Sequence, residues 1–220
     1  MDKAFSKVGP DSIAKILFTS GSTGQPKGVI NTQRMLCSNQ VAMTQVWQFL
    51  KDRPPVTVDW LPWNHTMGGN AIFNYVLSNQ GTLYIYRGRP LPGMFEETLR
   101  NLSEISPTVY YNVPAGLNLL VEKLEKDDAL CNRFFTRLTF IGYGGASLPQ
   151  DLWDRLEKLG KRYAPRDVVI GSGSSCSIKT IHAIQDCGGG LCVCSLGSTP
   201  WTEWSACAVT CGGGVVTRSR

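Results

Sequence analysis

Between Ala14 and about Ile170, short apolar runs of β character alternate with stretches of helical period, and this alternation constrains the fold more than any other feature. The β-type runs are Lys15–Thr19, Val56–Trp60, Thr82–Tyr86, Thr108–Asn112, Leu138–Tyr143 and Asp167–Ile170. The helical stretches between them are Thr32–Lys51, Gly69–Asn79, Pro92–Ile105, Pro114–Lys126 and Pro149–Lys161. Such a βαβα rhythm predicts an α/β fold, a mainly parallel doubly wound sheet with helices on both faces. Sheets of that kind bind ligands at the carboxyl ends of their strands. Pro92, Pro114 and Pro149 fall in the expected first helical turns, where a missing N–H costs nothing. With 220 residues and 42% hydrophobic content, the chain can bury one core and carry a small appendage.

After Ile170 the rhythm stops. Gly-Ser-Gly-Ser-Ser, Cys-Gly-Gly-Gly and Leu-Gly-Ser-Thr-Pro follow, which is turn and linker chemistry. The expected organisation is a domain over 1–170, a Gly/Ser/Cys-rich linker over 171–198 and a small irregular Cys-rich tail over 199–220. Cysteine usage changes at the same place. Cys37 and Cys131 stand alone in the earlier part, whereas Cys176, Cys187, Cys192, Cys194, Cys207 and Cys211 crowd the later one. Sparse cysteine suits a reducing compartment and dense cysteine suits disulfides or metal. The opening Met-Asp-Lys-Ala-Phe-Ser-Lys has no apolar run of signal-peptide length, and nothing is long enough to span a bilayer, so the expectation is a cytoplasmic protein. A net charge of +5 with basic residues interleaved among acidic ones argues against a nucleic-acid partner.

The most specific stretch is Leu17-Phe18-Thr19-Ser20-Gly21-Ser22-Thr23-Gly24-Gln25-Pro26-Lys27-Gly28-Val29. A strand ends in a run of hydroxyls and glycines, then comes a lysine, then another short strand. Glycines let backbone N–H groups approach phosphate oxygens, hydroxyls add donors, and Lys27 brings a positive charge. Thr19, Ser20, Gly21, Ser22, Thr23, Gly24 and Lys27 are therefore candidates to hold a polyphosphate. A Walker A loop is excluded, because Lys27 follows Pro26 and precedes Gly28 instead of standing before Ser or Thr.

This loop resembles the signature of the adenylate-forming (AMP-binding) superfamily of acyl-CoA synthetases, luciferases and peptide-synthetase adenylation domains. Two further stretches carry the same resemblance. Leu61-Pro62-Trp63-Asn64-His65-Thr66-Met67-Gly68-Gly69 is similar to the family's second core motif, which implies that His65 lies beside the acid-binding pocket. Tyr143-Gly144-Gly145-Ala146-Ser147-Leu148-Pro149 is similar to the turn that lies along the adenine, which implies Gly144, Gly145 and Ala146 there. The wording around Asp59–His65 and Gly88–Leu99 resembles feruloyl-CoA synthetase-like members and implies an aromatic acid, although Trp60, Trp63 and Tyr111 also suit a core. The resemblance implies an ATP-dependent, AMP-forming acid–thiol ligase. A carboxylic acid is activated as an acyl-adenylate and passed to coenzyme A, with ATP and Mg²⁺ required.

The next family motif, an aromatic-Gly-x-Thr-Glu whose Glu helps hold Mg²⁺, should follow Ile170. Gly171-Ser172-Gly173-Ser174-Ser175-Cys176 stands there instead, with a thiol in place of the carboxylate, and a hard cation prefers oxygen. No metal ligand is assigned. The family's ribose-binding Asp, hinge and catalytic Lys have no counterpart before Arg220, so the expectation is a truncated, inactive piece of the enzyme.

The tail, Trp201-Thr202-Glu203-Trp204 through Arg218-Ser219-Arg220, resembles the opening of a thrombospondin type 1 repeat. In such repeats guanidinium groups stack between indoles, each layer contributing about 0.5–2 kcal/mol. That resemblance implies a glycan or protein partner. A zinc site among Cys187, Cys192, Cys194, Cys207 and Cys211 stays open as an alternative, although the spacings lack a clean pair. Three functional classes follow: a ligase, a non-catalytic nucleotide-binding relic, or an extracellular binding module.

Overall fold

The computed structural model describes residues 2–19, 26–173, 180–186, 191–197, 209–211 and 214–216. In chain order the elements are α1 (Asp2–Phe5), β1 (Ile13–Thr19), β2 (Lys27–Thr32), α2 (Gln33–Val46), α3 (Phe49–Asp52) and β3 (Val56–Asp59). A π-helix (Thr66–Ile72), α4 (Phe73–Ser78), β4 (Thr82–Ile85), α5 (Phe95–Glu104), β5 (Val109–Asn112), α6 (Pro114–Leu124) and α7 (Asp128–Phe135) follow. Then come β6 (Phe140–Gly144), α8 (Gln150–Tyr163), β7 (Val169–Gly173), β8 (Thr180–Asp186) and β9 (Leu191–Gly197). A short pair, β10 (Val209–Cys211) and β11 (Gly214–Val216), lies in the tail.

The alternation of strand and helix produces the expected α/β architecture. β5, β6, β7 and β9 run parallel, and β8 pairs antiparallel with β9 at the edge of the five-stranded sheet. β3 and β4 form a parallel pair. The Thr108 N–H donates to the Val56 carbonyl and the Val56 N–H to Thr108 Oγ1, both at 2.8 Å, so β3 starts beside β5. The spatial order is thus β4, β3, β5, β6, β7, and chain progress reverses between β3 and β5. A crevice at such a reversal is where doubly wound sheets take their ligands.

Period-two alternation on the central strands feeds two separate cores. Tyr110, Ile141 and Tyr143 join Phe95, Leu102, Leu117, Leu120, Phe134, Phe135, Leu152 and Leu156 on the α5–α8 face. Val109, Tyr111 and Phe140 join Met43, Trp47, Ile72, Tyr75 and Val76 on the α2–α4 face. The expected helices on both faces are present.

Several expected boundaries differ. The stretch Thr32–Lys51 is two helices, because Trp47 leaves helical geometry (φ −94°, ψ 77°) to bury its indole against Tyr75 and Phe140. Thr32 serves as the N-cap, its hydroxyl accepting from the Met35 N–H. The helix expected from Gly69 begins earlier, as a π-helix that buries Gly68 and Gly69. Pro114 occupies the first turn of α6, Pro149 caps α8, and Pro92 lies in the turn before α5. The short helix α7 adds an element that the hydrophobic pattern does not mark, and Asp127 accepts from the Leu130 N–H at 2.9 Å in the manner of an N-cap. Where composition suggests only linker over 171–198, the backbone includes β8 and β9: Gly and Cys density hides short runs such as Leu191-Cys192-Val193-Cys194 that ladder pairing accepts.

Candidate active site

Two of the three family-like motifs emerge at the same rim of the sheet. β3 ends at Asp59 and leads through Trp60–Asn64 to His65, while β6 ends at Gly144 and leads into Gly145 and Ala146. Asn112 ends β5 between them, and the parallel registers place Tyr143 opposite Asn112 and Ser172 opposite Tyr143. Parallel pairing delivers strand ends to one edge, so turns distant in sequence converge there.

His65 is exposed and caps the π-helix, its Nδ1 accepting from the Met67 N–H at 3.2 Å. An accepting Nδ1 carries no proton, so the neutral ring carries its proton on Nε2. The turn below it is tight. A Cβ on Gly69 would come within 2.0 Å of the Trp63 carbonyl oxygen, so only glycine allows the π-helix to close against that turn. π-Helical turns occur frequently at functional sites.

Gly145 adopts φ +86° and is exposed, with only Val113 Cγ1, at 3.8 Å, near the position a Cβ would take. Glycine alone enters that left-handed region without strain. The result is a bare backbone surface beside Val113, with Ala146 also exposed and Gly144 buried behind it. Asn112 stiffens this rim. Its Nδ2 donates to Tyr110 Oη at 2.8 Å and its Oδ1 accepts from the Val113 N–H at 2.8 Å.

The phosphate-loop candidates Ser20, Gly21, Ser22, Thr23 and Gly24 lie outside the described residues. Their two flanks are defined. Thr19 ends β1 and Lys27 begins β2, and the two are register partners across an antiparallel hairpin. Lys27 is exposed at the mouth of the loop.

Asp59 has no site role among the sequence motifs, yet it closes β3 beside this rim. Its carboxylate is buried at 2% exposure and accepts from the Leu61 N–H at 3.1 Å. Burial pushes its pKa up to about 7, opposed by the backbone N–H groups of Leu61 and Trp60. Tyr86, Tyr110 and Thr98 line the same interior, and burial raises both phenols above their usual range. A charged residue closing an apolar strand, as in Val56-Thr57-Val58-Asp59, is the signal that could have marked it. Among the described residues no three His, Cys, Asp or Glu side chains come together to hold a metal ion. Cys176, at the position where the resemblance expects a carboxylate, is outside them.

A model of the AMP-binding enzyme family matches residues 2–189. The chain belongs to the AMP-binding enzyme family. Among curated AMP-binding relatives, long-chain-fatty-acid–CoA ligase 5 of Rattus norvegicus is 28% identical over 157 residues, 67% of this chain and 22% of that protein. The peroxisomal long chain acyl-CoA synthetase 6 of Arabidopsis thaliana is 28% identical over 197 residues, 82% of this chain and 26% of that protein. The chain thus spans about a quarter of the length of these AMP-binding relatives. A malonyl-CoA ligase solved with methylmalonyl-CoA and AMP shares the fold with a TM-score of 0.62, at 22% identity over 80% of this chain and 35% of that one. The tail, residues 199–220, matches a model of the thrombospondin type 1 domain. Among the described residues no helix is long and apolar enough to cross a membrane.

Proposed function

We propose that this chain supplies the nucleotide- and acid-binding surfaces of an ATP-dependent, AMP-forming acid–thiol ligase. The observation that carries this reading is the shared rim, where β3 leads to the turn of His65 and β6 to Gly144–Ala146. In this reading the adenine lies along Gly144, Gly145 and Ala146. Thr19, the glycines and hydroxyls of residues 20–24, and Lys27 hold the phosphates. His65 presents its Nε2–H toward the carboxylic acid, an aromatic or fatty acyl substrate. The acid's carboxylate oxygen bonds to the α-phosphorus, the bond to the bridging oxygen breaks, and pyrophosphate leaves. A thiol, that of coenzyme A, then attacks the acyl carbon and AMP departs. Lys27 and the loop amides stabilise charge on the phosphates. Mg²⁺ would be held mainly by the nucleotide's phosphates and waters with one or two oxygen ligands from the chain, and among the described residues no three His, Cys, Asp or Glu side chains gather around such a position. A cytoplasmic setting belongs to the same proposal, as does a glycan or protein partner for the tail beyond residue 198.

The test is calorimetric titration with MgATP. Lys27→Ala is expected to weaken binding by about 10- to 150-fold, the equivalent of a charge-assisted phosphate contact worth about 1.5–3 kcal/mol. Unchanged affinity would make Lys27 a solvated loop charge. A second reading, a nucleotide binder without turnover, is favoured by Cys176 standing where the family's carboxylate is expected. Pyrophosphate release with ferulic, coumaric, benzoic and medium-chain fatty acids separates the two: binding without release supports the second reading, and acid-dependent release supports the first.

A further inference from the structure

The β1–β2 hairpin forms a two-stranded sheet of its own, and a lone hairpin is marginally stable in water. Its outer face does not anchor it, because Ile16, Phe18 and Ile30 are all at least half exposed. Its inner face buries Leu17 and makes two polar ties to the rest of the fold. Lys15 Nζ donates to the Gly69 carbonyl at 2.8 Å, and Asn31 Oδ1 accepts from Asn70 Nδ2 at 2.8 Å. Gln40 Nε2, from α2, supports the same segment at the Asn70 carbonyl, 3.4 Å away. Asn31, Gln40 and Asn70 are all buried, and among the described residues the side-chain oxygens of Gln40 and Asn70 have no hydrogen-bond partner. Burial lowers the Lys15 pKa, so holding an ammonium here costs free energy that an apolar side chain would not.

The register gives these contacts a direction. Lys15 stands opposite Asn31, Leu17 opposite Val29, and Thr19 opposite Lys27. Side chains two apart on a strand share a face, so Asn31, opposite the bonded Lys15, and Lys27, at the flank of the phosphate loop, lie on one side of the hairpin. About 13 Å separates them at the usual strand rise. On the other side of the contact, Gly69 and Asn70 belong to the π-helix that His65 caps.

We propose that Lys15, Asn31 and Asn70 are positioning residues forming a polar latch that makes the phosphate-loop hairpin and the His65-capped π-helix respond to nucleotide as one unit. This rests on the nucleotide-binding reading above and adds a coupling between the phosphate end and the acid end of the site. Phosphate binding at the loop stiffens the hairpin, and the latch passes that stiffening to the π-helix.

Amide hydrogen exchange on the full chain, with and without MgATP, tests the coupling. In the unaltered protein, nucleotide is expected to slow exchange at residues 27–32 and also at 66–72, by about fivefold or more, the low end of typical coupling between sites. Lys15→Met keeps the aliphatic stem and removes the donor. It is expected to retain the response at 27–32 and lose that at 66–72, as is Lys15→Met combined with Asn70→Leu. Lys15→Arg restores a cationic donor and is expected to restore the response at 66–72. A merely structural lysine would lower the melting temperature in Lys15→Met yet leave the response at 66–72 in place, and that result overturns the latch. So does a hairpin that responds while the π-helix stays unchanged in the unaltered protein. If neither segment responds to MgATP in the unaltered protein, the nucleotide reading itself fails and the coupling with it. The single variant carries the test if the double variant does not fold.

Discussion

Replacing Asp59 by Asn removes an ionisable group from the interior while keeping its shape and an oxygen to accept from the Leu61 N–H. The carboxyl is 2% exposed, and its pKa rises from 3.8 to about 7 in the folded chain because burial disfavours the anion. The folded chain therefore holds a proton that the unfolded chain releases. The favourable contribution of the neutral carboxyl is complete below about pH 4 and is lost as the pH climbs through about 7. A shift of about three units at 1.36 kcal/mol per unit corresponds to roughly 4 kcal/mol, with the opposing pull of the Leu61 and Trp60 amides already included. For a chain of this size each kcal/mol moves the melting temperature by about 2–4 °C. Thermal unfolding followed by circular dichroism from pH 4 to pH 8 is the assay. Asp59→Asn is expected to match the unaltered protein near pH 4 and to melt several degrees higher at pH 8. Parallel melting curves across that range would show that Asp59 is already charged in the fold, compensated by a partner, and the argument from burial would be refuted.

Three other substitutions probe different parts of the molecule. Phe134→Ala empties a fully buried site between Tyr110 and Phe135 and is expected to cost about 3–5 kcal/mol in urea unfolding. Gly69→Ala places a methyl against the Trp63 carbonyl; an overpacking cost of at least about 1–3 kcal/mol and faster exchange at the Met67 amide, which His65 receives, are expected. Glu125→Gln breaks the bidentate pair with Arg155, and because that pair is solvent-accessible the loss in unfolding free energy should stay below about 1 kcal/mol.

The fold was legible because its signals are periodic. Strands such as Thr108–Asn112 and helices such as Pro149–Lys161 declare themselves in hydrophobic pattern, and β5, β6 and β7 lie where that pattern places them, each starting one or two residues later. The features that escaped depend on three-dimensional neighbours. The break at Trp47 follows from an indole that finds Tyr75 and Phe140 across the chain, and no local propensity announces it. The π-helix depends on Gly68 and Gly69 meeting the carbonyls of Leu61, Pro62 and Trp63, which a helical period alone does not encode. Within the site, the motifs around His65 and Gly144–Ala146 stood out through resemblance. Asp59, Lys15 and Asn70 did not, since their roles arise from burial and from bonds spanning as many as 54 residues.

The two faces of β5 and β6 have a consequence for how the chain finds its fold. Phe140 belongs to one core and Ile141 to the other, as Tyr111 and Tyr110 do on the neighbouring strand. A strand paired one residue out of step would present every one of these side chains to the wrong helical layer. Phe140 would have to enter the space shaped for Ile141 beneath α6 and α8, and Ile141 would leave a void beside Trp47. Each error therefore registers twice, once in each layer, and misaligned pairings are penalised from both sides before the helices can settle. The central sheet carries its own proofreading in the two helical layers that its strands must satisfy at once.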